Sequence, residues 1–438
     1  MTITITYLFI LIDLFFVIVG GNALSITIAG ITIRYGEILS ILLGIYFIFY
    51  YVKRKQEIRF GKSIILLFLW SILSIFLILI NGIFIYRFSV HDILVAFMYL
   101  FRFVYSTLFV YIVARYIKWQ NKQIATLKYV NFLYILTCII GIFQLIFYPV
   151  ANDWYDLFQS FGVDWIGDPH IDRLVSTDFD PNYFASCLLI GVAVNFILLR
   201  YERRSGLANG RNIKRYFIFI LYVISMLLTK SRSGILGLAI FFIIYFLLAF
   251  DFSSICLRHL VTGGVILCVA LYLLVFSDID VFVRIRSVFT DASAGARFDS
   301  WAKGFEIIAK TCLMGIGYNL YGAYNLRFYN ADAMSNAVAG MDSSLQFVFV
   351  TTGIIGFIIF LAHIYYLWRE AGKSFETKSV IIAALIISNF NNLLFYSLWL
   401  MPYYLLIYLS KELFEGVASP DFVMNDRALS KICFQKER

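Results

Sequence analysis

Charge is scarce in this sequence. Only 14% of its 438 residues are Asp, Glu, Lys or Arg, while 61% are hydrophobic and 19% aromatic. A soluble globular domain carries about a quarter charged residues, so a soluble enzyme is excluded. Proline is rare, with five residues, and long apolar runs go uninterrupted. The strict alternation of a membrane β-barrel is missing as well. The six cysteines, Cys138, Cys187, Cys256, Cys268, Cys312 and Cys433, form no CxxC pair, so neither a zinc site nor a redox motif is supported. The four histidines, His91, His170, His259 and His363, are dispersed. Residues 1–7 hold no Lys or Arg, and no small-residue cleavage site follows, so the first apolar run reads as a retained helix.

What remains is an integral membrane protein. Apolar runs long enough to span the roughly 30 Å hydrocarbon core as helices fall near 5–20, 36–52, 63–80, 92–114, 127–148, 182–199, 216–229, 234–250, 259–276, 344–367, 379–393 and 395–410. The last two, around Asn391 and Asn392, also read as one long bent helix. The expected fold class is all-α: a polytopic membrane protein of about 12 transmembrane helices, with a large outer loop containing an amphipathic helix. Residues 1–410 read as a single transmembrane domain, and 411–438 as a cytoplasmic tail. The net charge of +9 belongs mostly to loops on the cytoplasmic side, not to a nucleic-acid surface.

The basic loops set an orientation. Segments 53–62, 115–128, 200–215 and the loop holding Arg369, Lys373 and Lys378 alternate with the helices as cytoplasmic loops should. The opposite side then receives 21–35, 81–91, 149–181, 230–233 and 277–343. Those loops should be poor in Lys and Arg. They nevertheless carry Arg173, Lys230, Arg232, Arg284, Arg286, Arg297 and Arg327. Topology does not require cations there. An anionic ligand such as a phosphate would, whereas the plainer account is that long loops tolerate any charge.

Four stretches carry candidate chemistry. Residues 168–186 enter a helix through Asp180-Pro181-Asn182, a good N-cap followed by a good first residue, with Arg173 upstream and Asn182 as a further ligand-binding candidate. Thr229-Lys230-Ser231-Arg232-Ser233-Gly234 is a short turn that holds Lys230 and Arg232 near the membrane surface, and Gly234 and Gly237 allow close helix packing. From Arg297 to Cys312, apolar Phe298, Trp301, Ala302, Phe305, Ile308, Ala309 and Cys312 recur at helical spacing, with Asp299, Lys303, Glu306 and Lys310 largely opposite. This predicts an interfacial amphipathic helix with Arg297 in its first turn, ending at Gly315 and Gly317. Asp342-Ser343-Ser344 marks the re-entry into the membrane. Asp342 there suits either a proton acceptor for a sugar hydroxyl or a helix N-cap. Asp278-Ile279-Asp280 is formally a metal-binding DxD, but three residues match by chance easily, and no metal is expected.

Three features together resemble the O-antigen ligase and polymerase superfamily: Ser231-Arg232-Ser233-Gly234 between two helices; Arg297-Phe-Asp-Ser-Trp301 followed by Gly315-Ile-Gly317; and Asp342-Ser-Ser-Leu leading to Thr352-Gly353-Ile-Ile-Gly356. Order and spacing agree over roughly 165–360, most like the O-antigen or capsule repeat-unit polymerases. The resemblance implies an inverting, metal-independent glycosyltransferase of the cytoplasmic (inner) membrane with its site facing the periplasm or cell exterior. It implies undecaprenyl-diphosphate-linked glycans as donor and acceptor, contact with membrane lipid, a chain-length regulator protein as partner, and no cofactor or nucleic acid. It gives Arg232 and Arg297 the diphosphate. With Asp342 they form the expected catalytic set, and Arg173, Lys230, Asn182 and Lys303 the expected substrate-binding set. Ligases of this superfamily carry a histidine where the long loop re-enters the membrane. Asp342 stands there instead, which favours a polymerase over a ligase. A lipid-linked sugar flippase is the other alternative, but mid-helix charges are few, Asp13 and Arg102 being the main ones.

Overall fold

The computed structural model describes residues 4–28, 31–53, 59–159, 163, 170–206, 211–249, 292–329 and 341–414. The expected helix 259–276, the Asp278-Asp280 pair, Arg284, Arg286 and most of the tail lie outside them. The other eleven expected apolar segments are helical. In chain order the α-helices are α1 (Ile5–Phe15), α2 (Tyr35–Lys53), α3 (Lys62–Leu77), α4 (Val90–Trp119), α5 (Gln123–Phe147), α6 (Ala151–Gln159), α7 (Pro181–Arg204), α8 (Arg211–Leu228), α9 (Arg232–Ala249), α10 (Ala292–Lys310), α11 (Tyr321–Phe328), α12 (Ser344–Glu370), α13 (Phe375–Ile387) and α14 (Ser397–Ser410). Wider π-type turns extend α1 to Gly20 and α3 to Ile85.

Among the described residues, six helical stretches are long and apolar enough to cross a membrane: Lys62–Ile85, Val90–Trp119, Gln123–Phe147, Pro181–Arg204, Arg232–Ala249 and Ser344–Glu370. Ile5–Gly20, Tyr35–Tyr51 and Ser397–Ser410 are apolar but shorter. The helix α7 is the central member, its apolar residues almost all buried, whereas helices such as α3 expose Leu69, Ile72 and Phe76. Large exposed aliphatic and aromatic side chains on so many helices suit a lipid surround.

The expectation of an all-α chain needs one correction. Two short antiparallel strands, β1 (Ser25–Ile28) and β2 (Ile31–Arg34), pair in register from Ser25↔Arg34. The run Ser-Ile-Thr-Ile and its partner Ile-Thr-Ile-Arg alternate with period two and are β-branched, which favours strands over helix.

The charge-sorted loops gather at two ends. At one end Asn22 N donates to Thr177 O (2.8 Å), Asn81 Nδ2 to Gly315 O (2.7 Å), Arg173 Nε to Thr229 O (2.9 Å), Arg327 to Tyr86 O and Arg87 O, and Asn391 Nδ2 to Ser233 Oγ (2.8 Å). At the other, Ser63 Oγ donates to Glu370 Oε1 (2.7 Å), Lys118 pairs with Glu412 (3.0 Å), and Arg200 pairs with Glu376 (3.2 Å). Arg327 therefore serves two loop carbonyls, a structural use of one of the anomalous cations.

The pair α13–α14 is broken, not bent. The helix α13 stops at Ile387, a single 3-10 turn covers Leu393–Phe395, and α14 begins at Ser397. Asn389, Asn391 and Asn392 interrupt the apolar run and take side-chain hydrogen bonds that compete with the helix ladder. This linker, 388–396, lies at the end that holds the candidate residues.

Candidate functional site

The α8–α9 turn is the first component. Lys230 adopts a left-handed conformation (φ 51°), and Ser231 Oγ accepts from Gly234 N at 3.2 Å, so Ser231 caps α9 and Arg232 is its first residue. A Cβ on Gly234 would stand 2.4 Å from the Ala185 Cβ, which is why α9 starts so close to α7. Asp180 caps α7 as expected, its Oδ1 accepting from Asn182 N (2.7 Å) and Tyr183 N (3.0 Å). Asn182 Oδ1 accepts in turn from Ser231 Oγ at 2.8 Å. Arg173 is buried to 9% exposure and hydrogen-bonds Thr229 O in the same turn. The structure thus brings Arg173, Asn182, Lys230 and Arg232 together.

The second component is the re-entry. Ser343 caps α12, its Oγ accepting from Gln346 N (3.2 Å). The capping role open to Asp342 is therefore filled by its neighbour. The Asp342 side chain remains 54% exposed, with its Oδ2 3.5 Å from Arg297 Nε. Desolvation raises the Asp342 carboxyl above the ordinary carboxylate range, and the Arg297 charge opposes that. Water screening at so exposed a group weakens both effects.

Arg297 lies on α10, in its second turn and not its first, because the helix begins at Ala292. The predicted apolar face is also only partly the buried one. Ser300, Gly304, Ile307 and Ile308 pack inward, whereas Phe298 and Phe305 are exposed, as are Leu313 and Met314 just beyond the helix. Gly304 permits this packing, since a Cβ there would come within 2.4 Å of Gln346 Nε2. The exposed aromatic stripe suits a helix lying against lipid. Lys303 sits on the exposed side, near Glu306, which itself pairs with Lys310 at 2.7 Å.

Around the Arg297–Asp342 pair, hydrogen-bonding capacity is unspent. Ser300 Oγ, Trp301 Nε1 and Gln346 Oε1 are buried atoms without a hydrogen-bond partner among the described residues, and the buried Arg297 Nε faces the Asp342 carboxylate at 3.5 Å. Residues 297, 300 and 301 share one helix face. Buried polar atoms are seldom orphaned, and the Ser300 and Trp301 donors beside the Arg297 guanidinium are chemically suited to an anionic group.

The linker 388–396 joins the two components, a role the sequence did not reveal. Ser231 Oγ lies 3.1 Å from Ser233 Oγ, which accepts from Asn391 Nδ2 at 2.8 Å. Next along, Ser344 Oγ donates to Asn392 Oδ1 at 3.1 Å, and Ser343 Oγ to Asn389 Oδ1 at 3.4 Å. Three asparagines within an apolar run were the available signal. A second missed group is the buried ion cluster at β2. Arg34 donates to Glu37 (3.1 Å), Asn22 (2.8 Å) and Ser397 (3.1 Å), and Arg102 lies 3.3 Å from Glu37. Among the described residues no group of three or more His, Cys, Asp or Glu is placed to hold a metal.

Against known proteins, residues 217–361 match the model of a family described as O-antigen ligase. No curated protein matches the chain. The match covers about a third of the sequence and includes α9, α10, the Gly315 loop and most of α12. Over those residues the resemblance to the O-antigen ligase/polymerase superfamily is borne out. Together with the apolar helices, it supports an integral membrane enzyme of O-antigen assembly and gives no support to a flippase.

Proposed function

We propose that this protein polymerises glycan repeat units carried on undecaprenyl diphosphate, at the outer face of the cytoplasmic membrane. The observation that carries this reading is the cluster of buried donors on one face of α10: Ser300 and Trp301, unpartnered among the described residues, beside Arg297, which pairs with an acid that is free of capping duty.

The reaction is a displacement at the anomeric carbon of the donor. The acceptor hydroxyl oxygen forms the new glycosidic bond, and the bond to the diphosphate oxygen breaks with its electron pair. The hydroxyl proton passes to the Asp342 carboxylate, and the configuration inverts. Negative charge grows on the leaving oxygen. Donors fixed beforehand in a partly dry site stabilise that charge, usually the largest single contribution to such catalysis. Arg297 with Ser300 and Trp301 takes this role, and Arg232 supports it from the α9 terminus. Arg173, Asn182 and Lys230 hold that turn in place and contact the donor. Lys303, exposed further along α10, attracts the diphosphate from the membrane surface. A chain-length regulator would meet the same end of the molecule.

The competing reading is a ligase that moves finished glycan to an acceptor such as lipid A core, and the match to an O-antigen ligase family favours it. Asp342 at the re-entry, where ligases carry histidine, supports the polymerase. The test is complementation of a deletion strain, with surface polysaccharide resolved by electrophoresis. Wild type restores a ladder; Arg232→Ala and Arg297→Ala each leave a single repeat unit. Wild-type ladders from both variants would sink the proposal, and a deletion that leaves no glycan attached at all assigns the ligase.

A further inference from the structure

A cavity of about 440 Å³ opens beside the re-entry and includes neither Arg297 nor Asp342. Its lining includes Tyr99, Tyr183, Tyr318, Tyr396, Asn392 and Arg102. We propose that this cavity is the glycan subsite, holding uncharged sugar rings of the lipid-linked substrate. The inference rests on the proposed glycosyl transfer and names where its sugar lies.

The volume is within the usual range for a small-molecule site. The lining then selects among ligands. A lipid tail would offer no hydrogen bonds to the polar groups on the wall, among them His91, Asp92, Asn319 and Asn392, at a cost for each that it desolvates. A diphosphate would need an excess of positive charge. Here Arg102 lies 3.3 Å from Glu37, whose carboxylate also binds Arg34, and Asp92 is on the same wall. The two cations are balanced by two acids. A sugar ring answers to both features. Its C–H faces pack on aromatic rings, and its hydroxyls exchange hydrogen bonds with phenol, amide and guanidinium groups.

The walls are held in place before any ligand arrives. Tyr183 and Tyr396 lie ring against ring at 4.1 Å, and the Arg34 guanidinium sits 5.4 Å from the Tyr396 ring. Tyr318 is 2% exposed and packs on Trp70, Phe347 and Phe395. Arg102 is fixed by Thr32 O at 2.7 Å and lies over Tyr99. Such preorganisation lowers the cost of ordering side chains on binding. Tyr183 also feels the charges of Asp180 and Asp342, so the cavity lies at the same end of the molecule as the acid proposed to take the hydroxyl proton.

The test uses the full chain in nanodiscs. The probe is the repeat-unit oligosaccharide released from the host polysaccharide, without lipid or phosphate, followed by saturation-transfer NMR. Wild type should show saturable transfer. Tyr99→Ala removes an exposed ring, and Ala323→Trp on α11 fills the cavity; each should weaken binding by about tenfold or more. Arg297→Ala should leave oligosaccharide binding within about twofold while weakening undecaprenyl diphosphate. Unchanged binding in a monodisperse Tyr99→Ala, or no transfer with wild type, overturns the inference. If Ala323→Trp does not fold, Tyr99→Ala alone decides. The polymerase reading fails separately, through the ladders of Arg232→Ala and Arg297→Ala, because the free oligosaccharide carries no leaving group.

Discussion

Gly315 and Gly353 meet backbone to backbone. A Cβ on Gly315 would stand 2.5 Å from Gly353 N, and one on Gly353 would stand 2.4 Å from Leu313 O. Both residues have positive φ, 82° and 66°. At Gly353 the helix α12 breaks, and the loop after α10 enters the gap. Ile316 N and Gly317 N donate to Val350 O and Thr351 O at 3.0 and 2.9 Å, and Ile354 N donates to Leu313 O at 3.0 Å. The loop thus takes up carbonyls that the kink releases, and it fixes where α10, and with it Arg297, can lie.

Substituting either glycine should therefore destabilise strongly. Gly315→Ala or Gly353→Ala combines left-handed strain with a backbone clash, at a cost of about 3 kcal/mol or more. Loss of monodisperse protein on size-exclusion chromatography checks this. Gly295→Ala is the control: nothing lies within 4 Å of its Cβ position, it is helical, and the change should be neutral or stabilising by about 0.5–1 kcal/mol.

The Arg297–Asp342 pair separates a structural from a catalytic role. Arg297→Ala should lower the rate of polymer formation by about 100-fold or more, as removal of a preorganised donor does. A charge swap, Arg297→Asp with Asp342→Arg, restores the pair but puts an acid where the diphosphate needs a cation. It should fold like wild type and stay inactive. Activity regained by the swap would reduce the pair to a strut.

The linker network predicts coupling across the site. Asn391→Leu removes the 2.8 Å bond to Ser233 and should cost about 1–2 kcal/mol in thermal unfolding. Ser233→Ala should cost a similar amount. The double variant should be little worse than either alone, with a coupling of about 1 kcal/mol. Additive losses would mean that the two ends of the bond act separately.

Asp178 predicts a pH dependence of stability. Burial pushes its carboxyl from 3.8 to about 7, against the opposing pull of Arg34. A folded value above the unfolded one means that the fold disfavours the carboxylate. The stability tied to this group is full below about pH 4 and is lost as the pH rises through about 7. The melting temperature should therefore fall by a few degrees between about pH 5 and about pH 8, and Asp178→Asn should flatten that slope.

Much of the helical plan was legible because burying a backbone in lipid leaves few choices. An apolar run of sufficient length must close its own hydrogen bonds. The cap at Asp180 was a local feature of one short stretch. The strands at 25–28 and 31–34 were missed because the stretch 21–35 between two helices read as a loop. The inward face of α10 was misread because a helix between lipid and protein is apolar on two sides, and periodicity does not say which is which.

The sequence by itself determined a membrane-embedded helical chain, two sets of loops sorted by charge, and Arg232, Arg297 and Asp342 as the residues to watch. Composition, periodicity and local capping carry those through neighbours in the chain. Tertiary structure decided the rest. It gave the capping task to Ser343 and left Asp342 beside Arg297. It broke the last helical pair at Asn391 and used the break to join Ser233 to the re-entry. It also gathered Tyr99, Tyr183, Tyr318 and Tyr396 from four distant segments around one cavity. Such pairings depend on contacts between residues tens to hundreds of positions apart, and no local pattern records which of many apolar faces will meet.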